Sequence, residues 1–161
     1  MLRRCYDEER HKTHPTYIDC TVCDEWHNYQ NFAEWYEKNY YKVENETMEI
    51  DKDILIPGNK IYSPNNCLIV PHRINSLFLR AANDSNGCIA KNYNQYEARC
   101  WVETDNGRKL KYLGLFKTKE NAIKAYIDFK TGYIKEIAEE YKNKIPQKLY
   151  EAMINHKLRV E

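Results

Sequence analysis

The sequence predicts an α+β protein built from two modules, and three observations carry that prediction. Apolar residues recur at helical spacing in some segments and alternate at strand spacing in others. The charge is unevenly spread: residues 1–86 carry ten Lys/Arg against fourteen Asp/Glu, whereas residues 87–117 carry six against three. The change of sign coincides with Ala81-Ala82-Asn83-Asp84-Ser85-Asn86-Gly87, a polar stretch of turn formers. The expected division is a first module over 1–82, a second over 87–145 and a C-terminal helix over 146–161.

Element by element, residues 1–20 read as polar and irregular, with Pro15 as a helix breaker. Residues 27–39 read as a helix whose face carries Phe32, Trp35, Tyr36 and Asn39, with Trp26 just before it. Residues 47–51 alternate and read as a short strand. A loop with Pro57-Gly58 turn chemistry follows, and Cys67-Leu68-Ile69-Val70 reads as a second strand. A short helix is expected from Pro71, with the proline at its first position and Ile74, Leu77 and Phe78 turned inward. The first module is therefore strand, long loop, strand, helix.

In the second module Cys88-Ile89-Ala90 reads as a strand. Residues 97–104 alternate, putting Ala98, Cys100 and Val102 on one face and Glu97, Arg99, Trp101 and Glu103 on the other. Asp105-Asn106-Gly107 is a hairpin turn, and residues 108–116 return as a third strand. Thr118 caps a helix whose stripe runs Ala122, Ile123, Tyr126, Phe129, Tyr133, Ile137 and Tyr141, with Gly132 as a point of kinking. Pro146 opens a last short helix reaching about His156.

Composition excludes several classes. The chain has 161 residues, a formal net charge of +1, 42% hydrophobic residues, five Gly and five Pro. Collagen-like and Pro/Gly-rich disordered chains do not look like this. No apolar run approaches the roughly 18 residues of a membrane span, and the N-terminus has no apolar signal-peptide core. A cytoplasmic protein without a membrane partner is expected. Tyrosine stands at 14 residues, and its apolar body and polar tip suit half-buried and contact surfaces.

The six cysteines are Cys5, Cys20, Cys23, Cys67, Cys88 and Cys100. Cys20-Thr-Val-Cys23 is a lone CxxC with Cys5, His11 and His14 nearby. It lacks a second pair at finger spacing, so zinc is not the expected cofactor. Cys67, Cys88 and Cys100 stand among apolar neighbours and read as small core residues.

The outward strand face of the second module is the most informative surface. Arginine, lysine and an aromatic interleaved on a sheet suit a groove of duplex DNA. Arginine reaches base edges, lysine reaches phosphate, and a ring packs on sugar or a thymine methyl. Lys91, Arg99, Trp101, Arg108, Lys109 and Lys111 are the candidate DNA contacts. The plain alternative tucks Trp101 under a loop or the first module and pairs Arg99 with Glu97 or Glu103.

Two resemblances extend this reading. Tyr112-Leu113-Gly114-Leu115-Phe116-Lys117-Thr118-Lys119-Glu120-Asn121-Ala122-Ile123-Lys124-Ala125-Tyr126 resembles the end of an APETALA-type (ethylene-response-factor) DNA-binding domain. The match sets Gly114, Phe116, Thr118, Ala122, Ala125 and Tyr126 together. It implies a three-stranded antiparallel sheet packed on one helix, with the sheet in the major groove. Residues 1–82 resemble phage HNH endonucleases of the homing type, through Arg4-Cys5-Tyr6, Val22-Cys23-Asp24-Glu25-Trp26, Asn31-Phe32, 50–54, 58–67 and Val70-Pro71. That resemblance implies a ββα-metal finger.

Carried over, Asp51 and Asn75 are the expected ligands of Mg²⁺ or Mn²⁺, and Asn66 is the loop-fixing residue. A hard cation takes oxygen ligands and keeps most of its waters, so one carboxylate and one amide suffice when phosphate supplies the rest. The general-base position holds Lys52 where the family has His. A lysine with an ordinary pKa of about 10.4 is protonated at pH 7 and takes no proton. Asp53 and His72 are the neighbouring candidates for that task, and the sequence places neither. The family's proteins also carry a further segment before the Arg-Cys-Tyr element, so the chain reads as a trimmed version.

The expected function is that of a phage-type DNA-binding protein with weak or absent metal-dependent nicking, and double-stranded DNA is its expected partner. The alternative is a catalytically dead anti-defence protein, for example an anti-CRISPR, that binds a host defence nuclease. The acidic first module favours that alternative, because negative surface competes with DNA.

Overall fold

Asp7 decides the shape of the N-terminal segment. Its carboxylate accepts from the Arg10 N–H at 3.1 Å and from Arg3 Nε at 2.9 Å. That makes it the cap between two short helices, α1 (Leu2–Tyr6) and α2 (Glu8–Thr13). Glu8 and Glu9 in the first turn of α2 add favourable charge there. The expectation that residues 1–20 are irregular is corrected: Pro15 does not prevent the helices but follows them, opening a 3₁₀ turn over Pro15–Tyr17. The computed structural model describes residues 1–78, 87–91, 95–104 and 107–158, and their architecture is α+β.

The described residues form two units, one of 1–75 with 144–149 and one of 76–143 with 150–161. The expected boundary at 81–86 lies outside the described residues.

In the first unit, α3 (Tyr29–Asn39) is capped by the Asn28 side chain, which accepts from the Gln30 N–H. His27, expected in the helix, belongs to the preceding 3₁₀ turn Asp24–His27. Trp26 is buried at 1% exposure, with the Trp35 ring 4.7 Å and the Phe32 ring 5.2 Å from its own. This aromatic group joins Cys5, Cys20, Val22, Tyr62 and Cys67 in one core. Strand β1 (Thr21–Val22) pairs in parallel with β3 (Ile61–Tyr62).

Strand β2 (Met48–Asp51) pairs antiparallel with β4 (Leu68–Pro71), setting Met48 opposite Pro71 and Asp51 opposite Leu68. Helix α4 (His72–Phe78) follows β4 directly. Pro71 therefore closes a strand and does not open the helix, a correction of the expected start. Having no N–H, it cannot continue the ladder, and the next donor does so: the His72 N–H bonds the Thr47 carbonyl at 2.8 Å.

In the second unit, β5 (Cys88–Lys91), β6 (Gln95–Thr104) and β7 (Gly107–Phe116) form an antiparallel sheet in the order β5–β6–β7. The register shifts between Ala98 and Arg99, where Leu113 is the extra residue on β7. Nearby Gly114 holds φ +138°, a backbone conformation that favours glycine. Asp105 and Asn106 of the expected turn lie outside the described residues.

Helix α5 (Lys119–Tyr141) covers the inner face of the sheet. Thr118 caps it through the Asn121 N–H, and the Tyr133 hydroxyl accepts from the Glu103 N–H at 2.8 Å. Its buried stripe includes Ala122, Tyr133, Ile137 and Tyr141, as expected, and adds Ile134 and Ala138. The helix runs unbroken through Gly132. Helix α6 (Gln147–Ile154) begins just after Pro146. Among the described residues no helix is long and apolar enough to cross a membrane.

Candidate functional site

The pleat of β6 sorts its side chains as the alternation requires. Arg99, Trp101 and Glu103 stand opposite Tyr112, Leu110 and Arg108 on the outer face. Trp101 is 44% exposed and Tyr112 is 60% exposed. The Arg108 guanidinium lies over the Trp101 ring, 5.2 Å from its centre. Such a stack is attractive because the ring face is negative. Arg99 is not free: its Nε pairs with the buried Glu97 carboxylate two residues back. Half of the plain alternative thus describes Arg99, while Trp101 remains open to solvent.

The lysines divide differently. Lys109 and Lys111 stand opposite Val102 and Cys100, on the inner face covered by α5. Lys111 Nζ sits 4.7 Å from the centre of the Phe129 ring on that helix. Strand parity thus puts Lys109 and Lys111, both named as candidate DNA contacts, on the opposite face from Trp101. Lys91 ends β5 opposite Gln95.

In the first unit, the loop after β2 is held by its own polar residues. Asp51 Oδ1 accepts from the N–H groups of Asp53 at 2.8 Å and Ile54 at 2.6 Å. Burial and then the neighbouring Asp53 charge push the Asp51 carboxyl up to about 7. Lys52 is 9% exposed, pairs with Asp53 at 3.0 Å and lies 5.9 Å from the centre of the Tyr62 ring. Burial pulls the ammonium down, but the Asp53 carboxylate outweighs it and holds Lys52 above its ordinary value. Lys52 is a fixed cation and no proton acceptor at neutral pH.

Asn59 ties the same loop shut. Its amide donates to the carbonyls of Lys52 and Ile61, and its Oδ1 accepts from the Ile61 N–H. Asn66 donates to the same Oδ1 at 3.3 Å. Asn66 therefore acts on the loop through Asn59, a residue the sequence did not single out.

Asn75 meets Glu49 and not Asp51. Its Nδ2 donates to Glu49 Oε2 at 2.5 Å, and His72 Nδ1 lies 2.8 Å from Glu49 Oε1. Asn75 Oδ1 is buried without a hydrogen-bond partner. Burial raises the Glu49 carboxyl, but the hydrogen bonds from Asn75 and His72 and the charges of His72 and Arg4 outweigh it and hold it below the ordinary range. Glu49 escaped sequence reading although a signal was there. It lies two residues from Asp51 on a strand, hence on the same face. His72 and Asn75 are three apart on a helix, hence neighbours.

The oxygen set expected for a cation does not form. Asp51 Oδ1 is committed to two backbone N–H groups, and the Asn75 amide is drawn to Glu49. No group of three or more His, Cys, Asp and Glu side chains suited to a metal occurs among the described residues. Cys5, Cys20 and Cys67 are buried and Cys23 is half-buried around one core, all as free thiols. Burial pushes the Cys67 thiol up to about 12.

No protein-family description, curated protein or solved structure matches this chain.

Proposed function

We propose that this protein binds duplex DNA through the outer face of β5–β7, and that its first unit is an HNH-like ββα module with weak or lost nicking. The observation that carries the reading is the exposed Trp101 ring stacked by Arg108. The ring offers apolar contact to a sugar or a thymine methyl, and the stacked guanidinium keeps its donor edge for phosphate or guanine. Sheets present such residues to a groove in known DNA readers.

The residues that carry the APETALA resemblance lend support from the sheet–helix junction. A Cβ on Gly114 would stand 3.1 Å from the Phe116 ring, Thr118 caps α5, and Ala122 is fully buried. For the first unit, support comes from an antiparallel strand pair running directly into a helix. The charged state of Lys52 is in line with weak chemistry, because no base stands at that position. Asp51 and Asn75 do not make a joint oxygen set, so no step is assigned to a cation held by them.

Retention on a randomised pool of DNA duplexes, at two salt concentrations and with Mg²⁺ or EDTA, tests the reading. Salt-sensitive retention of a subset of sequences is the expected result, lost in the Trp101→Ala/Arg108→Ala double variant. Absence of retention at low salt overturns it.

A further inference from the structure

The geometry points to His72, oriented by Glu49, as the proton acceptor for water in phosphodiester hydrolysis by the first unit. The inference rests on the HNH-like reading of that unit and moves the base from the loop after β2 to the start of α4.

His72 is fixed at two points. Its backbone N–H bonds the Thr47 carbonyl at 2.8 Å, and its ring Nδ1 lies 2.8 Å from Glu49 Oε1. Glu49 is fixed in turn, because Asn75 donates to its other oxygen. An ionised carboxylate only accepts hydrogen bonds, so the proton between the two belongs to Nδ1. In the neutral ring Nε2 then carries the lone pair. The His72 side chain is 59% exposed, and no hydrogen bond engages Nε2 among the described residues. The ring is thus anchored on one nitrogen and open to solvent on the other, the arrangement in which a carboxylate sets the tautomer of a base.

A further feature makes the place suited to a water. Asn75 Oδ1 is a buried acceptor with no partner, a group that the O–H of a bound water would satisfy. The charge of Arg4 on α1 acts on Glu49, and Arg73 follows His72 on the ring's own helix.

Water oxygen bonds to phosphorus while one water proton passes to His72 Nε2. The bond from phosphorus to the leaving oxygen breaks, and the electron pair stays on that oxygen. In DNA that oxygen takes a proton from solvent water, and His72 returns its own proton to solvent. The products are a phosphomonoester and a free hydroxyl.

Bis(4-nitrophenyl) phosphate is the probe, because its leaving phenolate needs no acid and no duplex has to bind. The full chain is assayed with and without Mg²⁺. His72→Gln should lower the rate about 100-fold or more. Glu49→Gln, a change at a positioning residue, should lower the rate about tenfold. In ¹⁵N spectra the natural ring should show the Nδ1–H form, and Glu49→Gln should return the mixed tautomers of a free imidazole. Absence of turnover by the natural protein, an unchanged rate in His72→Gln, or a mixed tautomer in the natural protein each overturns the inference. Loss of DNA retention in the separate duplex assay overturns the binding reading and leaves this result to stand by itself.

Discussion

Arg108 and Trp101 meet diagonally across β6 and β7, the guanidinium 5.2 Å from the centre of the ring. The two contribute different physics to one surface. Trp101→Ala removes ring contact and no charge, so DNA affinity should fall by roughly 1–3 kcal/mol with the salt slope unchanged. Arg108→Ala removes one phosphate-neutralising charge, so the slope should fall by about 1. Titrations by fluorescence anisotropy at several salt concentrations separate the two. A lower slope in Trp101→Ala would contradict its role.

Arg99 carries a structural duty as well as a surface one. Glu97 is 6% exposed, and Arg99 pairs with it. Arg99→Ala should lower stability by about 1–3 kcal/mol, since a buried carboxylate loses a charged partner. Chemical denaturation followed by tryptophan fluorescence checks this. A loss of DNA binding with no loss of stability would assign Arg99 to the interface alone.

Gly87 is required for close approach. It has φ +64°, and a Cβ there would stand 2.2 Å from the Tyr126 ring and 2.3 Å from the Arg99 carbonyl oxygen. Gly87→Ala should destabilise the second unit by about 2 kcal/mol or more through strain and displaced backbone. A melting temperature unchanged within error would show that the backbone at Gly87 yields easily.

Asn59 should be the most sensitive loop residue of the first unit. Its side chain bonds Lys52, Ile61 and Asn66. Asn59→Ala should cost about 2–3 kcal/mol, because several part-buried groups lose their partners together. Hydrogen exchange at the Ile61 N–H should accelerate with it.

Asp51 gives the fold a pH dependence of defined sign. Its carboxyl is raised from about 3.9 unfolded to about 7 folded. Between those values the folded state binds more protons, so this group's contribution to stability falls as pH rises. Asp51→Asn keeps the oxygen that accepts from Asp53 and Ile54 and removes the ionisation. The variant should gain stability relative to the natural protein as pH rises from 4 to 7, by about 1–3 kcal/mol in all. A constant difference across that range would show that Asp51 does not titrate there.

The α+β character and most elements were legible in the sequence because apolar periodicity writes them directly. Strand alternation placed Arg99 and Trp101 on one face, and the same rule, applied to β7, would have put Lys109 and Lys111 on the other. The shift beside Gly114 changes the pairing only beyond Tyr112, and alternation along a single strand does not report it. Helices α1 and α2 escaped because their signal is polar: Asp7 caps, and no apolar stripe accompanies it. The Glu49–His72–Asn75 contact escaped because two of its members are 23 and 26 residues from the third, a distance closed only by strand pairing.

The buried thiols make each unit its own clock. Cys5, Cys20 and Cys67 report on one core and Cys88 on the other, and Cys100 is buried on the second unit's sheet. With Cys67 held up to about 12, almost none of it is thiolate at neutral pH, and only the thiolate reacts with an alkylating reagent. Labelling is then limited by how often the surrounding structure opens. Mass spectrometry of modified peptides over time would give two opening rates from one unlabelled sample, without any engineered probe. If the rates coincide, the two units open as one; if they differ, each keeps its own time.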